Sequence, residues 1–284
     1  MNENLPPILS VKDWLDDATR QLVFANISSA RLDSELILAH TLRENRTHLH
    51  AHNDDILSPR DIEIANARLD LRLDHVPVAY IIGHKEFYGR RFRVTTATLI
   101  PRPESEALLE LLDQALPKNA ALITETPLRL VDVGTGSGIL GINAKLEHPE
   151  LDVTLVDISR HALKVAEQNA KLLQADVSTL RSNLLANYVF IADTIIANLP
   201  YVDPEWERSK ETQHEPQEAL FADDGGKALI FELLAQTKSK LATGGTIILE
   251  ADPEQHDAIK AEARKYGLLL QGHKDYGLSF QKLS

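Results

Sequence analysis

The sequence predicts a chain of two parts: a small helical domain, then an α/β domain built on a parallel sheet. Two observations support this prediction. Apolar residues recur every three or four positions through residues 11–73, which is the spacing of helices that bury one face. From residue 128 onward, short runs of aliphatic residues alternate with amphipathic segments, which is typical of a parallel sheet covered by helices.

The helical domain is expected over residues 1–78. Its clearest helix start is Ser58-Pro59-Arg60-Asp61, because serine can cap, proline suits the first turn and the acid can return the bond. His48, His50 and His52 alternate here, and a two-residue spacing scatters side chains around a helix, so we expect no metal. One helix face comprises Val11, Trp14, Leu15, Ala18 and Leu22, and a second begins with Leu32, Leu36 and Ala39.

A change of pattern separates the helical domain from the rest of the chain. Residues 78–83, 86–89 and 91–94 are interpreted as short strands with a turn, so we predict a linking hairpin over residues 79–103. Residues 117–127, rich in proline and alanine, are expected to form a loop. The α/β domain is then expected over residues 104–284.

Apolar runs divide the α/β domain into strands. Ser159 is placed to cap a helix over residues 159–172. The last two runs, 268–271 and 278–282, flank Asp275-Tyr276-Gly277 and are expected to pair antiparallel. The clear strands before them are 128–133, 153–156, 194–197 and 246–250.

Composition limits the classes of function. The 284 residues carry 30 Lys and Arg against 42 Asp and Glu, a formal net charge of −12. An acidic surface does not attract a phosphate backbone, so we expect no direct binding of nucleic acid. The absence of cysteine excludes disulfides and a cysteine nucleophile and fits a cytoplasmic protein. We also expect no membrane partner, because the sequence shows neither a signal peptide nor an apolar stretch that could span a bilayer.

A glycine-rich loop lies between the first strand of the α/β domain and the following helix. Its sequence, Asp132-Val133-Gly134-Thr135-Gly136-Ser137-Gly138, permits sharp turns and leaves room for a ligand, and the helix behind it offers free N–H groups. Asp157 ends the next strand, where a carboxylate can accept both hydroxyls of a ribose. We therefore predict that a nucleoside-containing cofactor binds at this loop.

Two classes of cofactor fit the loop. Gly136-Ser137-Gly138-Ile139-Leu140-Gly141 matches the G-x-G-x-x-G pattern of NAD-binding proteins, which several families share. Asp132, two residues before Gly134, favours the D-x-G-x-G-x-G loop of S-adenosylmethionine enzymes, where the acid faces the methionine amino end of the cofactor. A glycine-rich turn without a ligand is a third interpretation, which the flanking strand, helix and acid disfavour.

Asn198-Leu199-Pro200-Tyr201 follows an apolar strand. A planar NH₂ group is a poor nucleophile because its lone pair is delocalised, so it must be held with that lone pair toward a methyl donor. The Asn198 oxygen and a backbone carbonyl near Leu199 or Pro200 can accept its two hydrogens, and Tyr201 can stack on its plane. Taken alone, these residues would favour a simple Asn-x-Pro turn. Their position after the cofactor loop favours methyl transfer to nitrogen.

Further segments carry a family resemblance: Arg31-Leu32-Asp33-Ser34-Glu35-Leu36-Ile37-Leu38-Ala39-His40, Pro77-Val78-Ala79-Tyr80-Ile81-Ile82-Gly83, Glu86-Phe87-Tyr88-Gly89, Leu99-Ile100-Pro101-Arg102-Pro103-Glu104-Ser105-Glu106 and Glu215-Pro216. With these segments the chain resembles the HemK/PrmC family of protein-(glutamine-N5) methyltransferases over residues 31–277. The resemblance implies a seven-stranded Rossmann-like class I methyltransferase domain that binds S-adenosylmethionine. It also implies a peptide chain release factor as protein substrate, held by the helical domain and methylated on the glutamine of its Gly-Gly-Gln loop. We expect a cytoplasmic monomer.

The resemblance also implies residue roles. The expected catalytic residues are Asn198, Pro200 and Tyr201. The expected cofactor-binding residues are Asp132, Gly134, Thr135, Gly136, Ser137, Gly138, Asp157, Asn183, Leu184 and Asn198. The expected substrate-binding residues are Asn198, Leu199, Pro200, Tyr201, Phe87, Ile100 and Arg102.

Two departures from the family pattern keep alternatives open. The family's usual tetrapeptide is Asn-Pro-Pro-Tyr, and Leu199 makes this one similar to the motif of enzymes that dimethylate adenine in ribosomal RNA. An adenine-N6 methyltransferase acting on RNA or DNA is therefore the first alternative. Asn183 stands where an acid is common, although its oxygen can still accept from the adenine amino group. A non-catalytic S-adenosylmethionine-binding protein is the second alternative, and a NAD oxidoreductase comes last.

Overall fold

The structure is a computed structural model that describes residues 9–116, 126–206 and 209–283. Contacts divide the chain into two units. The first runs to Gly83 and includes a short segment from much later in the chain, Ser209–His214. The second contains the remaining described residues from His84 onward. The loop expected at residues 117–127 lies, as far as residue 125, outside the described ranges.

Helices form the first unit, and the face predicted from Val11 to Leu22 is buried. The second predicted face is wrong at Leu32, which is 43% exposed, because that helix turns Ile37 and its neighbours inward instead. Ser58 Oγ accepts a hydrogen bond from Asp61 N at 3.1 Å and donates one to Asp61 Oδ2 at 2.6 Å. Pro59 occupies the first turn, so the predicted helix start is confirmed. The helices are α1 (Val11–Phe24), α2 (Ala30–Leu42), α3 (Arg46–Ala51), α4 (Pro59–Leu73) and α5 (Val78–Ile82).

A hydrophobic core and a buried ion pair hold the first unit together. Arg72 on α4 donates to Asp33 on α2 at 2.7 Å, and both side chains are buried. The same guanidinium pairs with Glu211 in the segment Ser209–His214. Removing a partner from a buried charge is strongly destabilising, so these contacts fix α2, α4 and this segment together. The largest fully buried apolar side chains of the unit are Leu22, Ile37, Leu38 and Leu49.

The prediction of a strand at residues 78–83 is wrong, because Val78–Ile82 is the short helix α5. Pro77 stands at its N-cap, and Gly83, with φ +75°, ends it in the left-handed conformation that glycine adopts without strain. Ala79 and Ile82 are the buried positions, three residues apart. Five apolar residues are too few for their spacing to distinguish a helix from a strand.

The second unit opens with a two-stranded antiparallel hairpin, β1 (His84–Phe87) and β2 (Arg90–Arg93), where residues 86–89 and 91–94 predicted strands and a turn. Its main sheet has seven strands. They are β3 (Arg129–Val133), β4 (Asp152–Asp157), β5 (Ser178–Arg181), β6 (Ala192–Ala197), β7 (Leu241–Glu250), β8 (Leu268–Lys274) and β9 (Gly277–Lys282).

The order of strands in the main sheet is β5-β4-β3-β6-β7-β9-β8. The first five pair in parallel, whereas β9 runs antiparallel to β7 and β8. This confirms the parallel α/β sheet and its terminal antiparallel pair. Because the chain proceeds outward from β3 in one direction and then returns to add β6 on its other side, the order reverses between β3 and β6. Ligands bind at the carboxyl ends of the strands at such a reversal.

Helices and short 3-10 turns connect these strands. Ser159 caps α8 as predicted, accepting from Ala162 N at 3.3 Å. In the described ranges, no helix is both long and apolar enough to cross a membrane. The helices of this unit are α6 (Glu106–Ala115), α7 (Ile139–Glu147), α8 (Arg160–Leu173), α9 (Asp223–Gly226), α10 (Ala228–Lys240) and α11 (His256–Arg264).

Candidate active site

The glycine loop follows β3 and turns through left-handed backbone at each of its three glycines. Gly134, Gly136 and Gly138 have φ values of 71°, 55° and 86°, which explains why residues without a Cβ atom occupy these positions. Gly138 is the N-cap of α7. A Cβ atom added at Gly136 would meet nothing closer than Gly134 O at 4.0 Å, so open space lies beside the middle of the loop.

The N–H groups of the loop are largely used within the protein. Gly134 N and Thr135 N both donate to Val156 O, at 2.8 and 2.9 Å, and Gly138 N donates to Thr135 O. Gly136 N donates to Asp157 Oδ2 at 2.9 Å. A pyrophosphate would need such donors free, so the loop is poorly suited to NAD. The free N–H groups were expected at the start of the helix behind the loop, and there Gly141 N donates to Asp132 Oδ2 at 2.8 Å.

Asp132 lies beneath the loop and is almost completely buried. Its Oδ2 accepts from Thr135 Oγ1 at 2.6 Å and from Gly141 N at 2.8 Å. Its Oδ1 has no hydrogen-bond partner among the described residues. Burial raises the pKa of this carboxyl to about 6, so it is mainly ionised at neutral pH. The buried carboxylate makes the base of the loop negatively charged, which favours a cation such as an ammonium over a phosphate.

The residues expected around the ribose and adenine lie together at the end of the next strand. Asp157 ends β4, and its two oxygens accept from Gly136 N and from Ser159 N at 2.9 and 2.8 Å. Each oxygen keeps a further lone pair for a hydroxyl donor. Burial also raises the pKa of this carboxyl. Asn183 and Leu184 follow β5 directly beyond Ser182, whose N–H donates to Asp157 O at 3.0 Å.

Ser137, also expected at the cofactor, is buried at the turn of the loop. Its carbonyl accepts from Asn169 Nδ2 on α8 at 2.8 Å. Asn169 in turn bonds the backbone of Arg93 at both ends of its amide. These contacts tie the glycine loop to α8 and to the hairpin, which fixes its shape before any ligand binds.

Asn198 follows β6, directly beside the end of β3. Its Nδ2 donates to Ser105 Oγ at 2.9 Å, which turns its Oδ1 to the opposite side. Asn198 and Pro200 are half-buried, whereas Leu199 is buried in the core. The partly exposed edge of the motif therefore carries an acceptor oxygen from Asn198, as holding an amide NH₂ group requires.

Tyr201 is held at both its ends. Its hydroxyl donates to Glu250 Oε1 at the end of β7, at 2.9 Å, and its carbonyl accepts from Gln255 Nε2 at 2.7 Å. Burial and the Glu250 carboxylate raise the pKa of the Tyr201 phenol, so it stays protonated. Gly226 lies directly over this carbonyl, because a Cβ atom there would fall 1.9 Å from it. The ring is thus fixed in place without a substrate.

Comparison with known proteins agrees with this geometry. Residues 13–83 match the family described as PrmC N-terminal domain, and residues 105–222 match the methyltransferase small domain. Release factor glutamine methyltransferase of Deinococcus radiodurans is 33% identical over 262 residues, which cover 91% of this chain and 92% of that protein. The Escherichia coli protein of the same name is 32% identical and covers 94% of this chain and 93% of its own length.

The chain belongs to the release factor glutamine methyltransferase family. A solved methyltransferase from Pyrococcus furiosus shares the fold, with a TM-score of 0.53 and 17% identity, covering 77% of this chain and 98% of that one. The family resemblance found in the sequence is thereby confirmed, as is the class I methyltransferase fold.

The remaining residues expected at the substrate of this family lie in two places. Ile100 N donates to Glu215 Oε2 at 3.1 Å, and the Arg102 guanidinium pairs with the same carboxylate. Glu215 is buried, so it anchors the segment that presents these two residues. Phe87 instead lies in the hydrophobic core, where it packs edge-on against Phe92 with ring centroids 6.4 Å apart. Its burial fits a supporting role.

Sequence reasoning missed three polar residues that hold the motif, namely Ser105, Glu250 and Gln255. Glu250 had a usable signal, since it ends an apolar strand at the same edge of the sheet as Asn198. Ser105 lay within a quoted family segment, but nothing in its spacing indicated a contact with Asn198. Gln255 ends the 3-10 turn before α11, where it returns the capping bond to Asp252 and so resembles an ordinary capping residue.

Proposed function

We propose that this protein transfers a methyl group from S-adenosylmethionine to the N5 amide nitrogen of the glutamine in the Gly-Gly-Gln loop of peptide chain release factors. The observation that carries the proposal is the Asn198 amide, which donates through Nδ2 to Ser105 Oγ and leaves Oδ1 to accept from a substrate NH₂ group. Relatives named release factor glutamine methyltransferase, which match over nine-tenths of the chain, support glutamine as the substrate.

S-adenosylmethionine is the methyl donor, and it supplies an electrophilic methyl group on a positively charged sulfur. Asp132 Oδ1, buried and unpaired, suits the ammonium of its methionine part. The open space beside Gly136 suits the carbon chain of the methionine part, and Asp157 suits the ribose of the cofactor. Asn183 and Leu184 would border its adenine. The donor set is acidic and short of free N–H groups, as a cationic ligand requires.

In the proposed reaction, the protein acts mainly by positioning. Asn198 Oδ1 and the Leu199 carbonyl accept the two amide hydrogens of the glutamine, which aims the nitrogen lone pair at the methyl group. Pro200 limits the backbone freedom of the motif, and Tyr201 covers the face of the planar amide. The transfer would form the N–C bond at the expense of the S–C bond of the donor, release S-adenosylhomocysteine and pass one proton from the nitrogen to solvent. Ile100 and Arg102 would contact the release factor.

The alternatives weighed from the sequence are less well supported. Adenine-N6 methylation is not favoured, because relatives that match over most of the chain are release factor glutamine methyltransferases and the chain carries a net charge of −12. The unpaired Asp132 oxygen opposes a NAD pyrophosphate. We further propose that the protein works as a cytoplasmic monomer, since its proposed substrates act in translation and no second copy is needed to complete this site.

A labelling experiment tests the proposed function. Purified enzyme and methyl-labelled S-adenosylmethionine are incubated with an intact release factor, with a factor whose loop glutamine is replaced by alanine, and with total RNA. We expect label on the intact factor alone. Label on RNA alone would instead mean that the Asn-Leu-Pro-Tyr motif acts on adenine, and label on the alanine-bearing factor would place the methyl group on another residue.

A further inference from the structure

Glu250 is a buried acid whose role the proposed reaction leaves unexplained. It ends β7 next to the end of β6, and its side chain is about 1% exposed. Its Oε1 accepts from the Tyr201 hydroxyl at 2.9 Å. Its Oε2 has no hydrogen-bond partner of normal geometry among the described residues. Burial raises the pKa of this carboxyl, while Ser105, Tyr201 and Asn198 beside it partly offset the effect.

A buried acid with an unpaired oxygen lowers the free energy of unfolding. A buried polar atom without a partner costs about 1–3 kcal/mol, and more when it is charged. Replacing a buried acid by a neutral side chain of the same size is often neutral or stabilising. Stability alone therefore does not account for a glutamate at the end of β7.

The surroundings of Glu250 suggest what it does. An asparagine amide has a donor end and an acceptor end of nearly equal shape, so its neighbours decide which way it faces. A carboxylate can only accept, and it repels the Asn198 oxygen while tolerating its NH₂ group. With Glu250 and Ser105 on one side, the lower-energy orientation turns Nδ2 inward and Oδ1 outward.

Resting on the proposed function, we propose that Glu250 is a positioning residue that sets the Asn198 amide with its oxygen toward the substrate and holds the Tyr201 ring upright. When the side chain at position 250 can also donate, as in Glu250→Gln, the Asn198 amide is less firmly oriented and can present a donor to an NH₂ group that needs an acceptor. The glutamine nitrogen is then misaimed, although the cofactor loop is unchanged.

The test compares full-length wild type with Glu250→Gln. This substitution keeps the size of the side chain but replaces one acceptor oxygen by an NH₂ donor. Glu254→Gln is the matched control, because Glu254 is exposed in the turn that follows β7. Four quantities are measured: kcat, KM for the release factor, Kd for S-adenosylmethionine and the thermal midpoint. We expect Glu250→Gln to lower kcat by about tenfold or more. We expect KM and Kd to stay within about twofold and the midpoint to stay equal or rise.

A second variant guards against failure to fold. Ser105→Ala removes the other group that Asn198 Nδ2 contacts and leaves the acid in place. It should lower kcat by several-fold, and combining it with Glu250→Gln should cost less than the product of the two effects, because both act through Asn198.

The outcomes separate this inference from the proposed function. An active wild type with an equally active Glu250→Gln overturns the positioning role alone. A parallel loss of kcat, cofactor binding and thermal midpoint in Glu250→Gln also overturns it, since Glu250 would then be structural. A wild type that labels no release factor overturns the proposed function and this inference with it.

Discussion

Leu199 packs directly against Gly134: a Cβ atom added at Gly134 would lie 2.8 Å from Leu199 Cδ2 and 3.7 Å from Asn198 O. The residue that departs from the family's usual tetrapeptide thus contacts the first glycine of the cofactor loop. Leu199 is itself buried, so neither side of this contact can easily yield. The loop and the motif share one packing surface, and a change in either affects both.

Gly134→Ala should weaken binding of S-adenosylmethionine by roughly tenfold or more, because overpacking and left-handed strain each cost about 1–3 kcal/mol. Titration calorimetry measures this affinity. Adding Leu199→Ala removes the atom in conflict and should restore part of the affinity. Gly244→Ala is the control, since Gly244 has φ +79° and nothing within 4 Å of an added Cβ atom. Equal weakening by the control would show that general strain, not this contact, is responsible.

Asn198→Ala should lower kcat by about a hundredfold or more, because it removes a preorganised acceptor for the reacting NH₂ group. Binding of S-adenosylmethionine should be nearly unchanged. Asn198→Asp should also be inactive, since it keeps an acceptor but cannot donate to Ser105 and sets a second charge beside Glu250. Asn53→Ala changes an exposed asparagine and serves as control. Full turnover by Asn198→Ala would refute the assigned role.

Affinity for S-adenosylmethionine should fall as pH decreases through about 6, the raised pKa of Asp132, because protonation removes the partner of the ammonium. In Asp132→Asn this pH dependence should vanish, and affinity at pH 8 should be about tenfold or more lower. Calorimetry across pH, with the exposed Asp176→Asn as control, measures both effects. If the loss of affinity at low pH persists in Asp132→Asn, another group is responsible for the titration.

Asp132→Asn, which should weaken cofactor binding, should by contrast raise the thermal stability of the cofactor-free protein relative to wild type as pH rises. The pKa of Asp132 in the folded protein, about 6, lies above the ordinary value of 3.8, so the folded state binds this proton more tightly than the unfolded chain does. Its contribution to stability is therefore present at low pH and is lost as pH rises from about 4 to about 6. Cofactor-free Asp132→Asn should gain in thermal midpoint, relative to wild type, between pH 5 and pH 8. A constant difference would contradict this linkage.

Glu215→Gln should raise KM for the release factor with little change in Kd for S-adenosylmethionine. It keeps an acceptor for Ile100 N but loses the charge that holds the Arg102 guanidinium. Because Arg102 is 38% exposed, water replaces part of the lost attraction, and we expect only a several-fold effect. Initial-rate kinetics measure it, with the exposed Glu232→Gln as control. An unchanged KM would remove Arg102 from the substrate side.

The sequence predicted those parts of the fold that local chemistry determines. Apolar runs located the buried strands, and the serine caps at Ser58 and Ser159 located two helix starts. The strand β5 was not predicted, because Ser178–Arg181 is short and polar. It lies at the edge of the sheet, where little burial is needed. The helix α5 was not predicted, because Pro77 and Gly83 define its ends and its apolar run is too short to show helical periodicity.

For the candidate site, sequence identified the groups that would contact ligands and missed those that hold them. Asp132 and Asn198 were marked by position, each at or beyond the end of a strand. The partners that fix Asn198 and Tyr201, namely Ser105 and Glu250, lie 93 and 49 residues away in the chain. Such contacts depend on how helices and strands pack, and no local pattern encodes them.

The chain enters the helical unit twice, first through the described stretch that ends at Gly83 and again through Ser209–His214. A gene fragment ending at Gly83 would encode a bundle in which the buried Arg72 retains Asp33 but has lost Glu211. The helical unit is therefore built from two separate stretches of the chain rather than from the N-terminal stretch alone. Chimeras between relatives that aim to exchange this unit must transplant both stretches together, and a split protein would be expected to regain its bundle only when its two pieces are co-expressed.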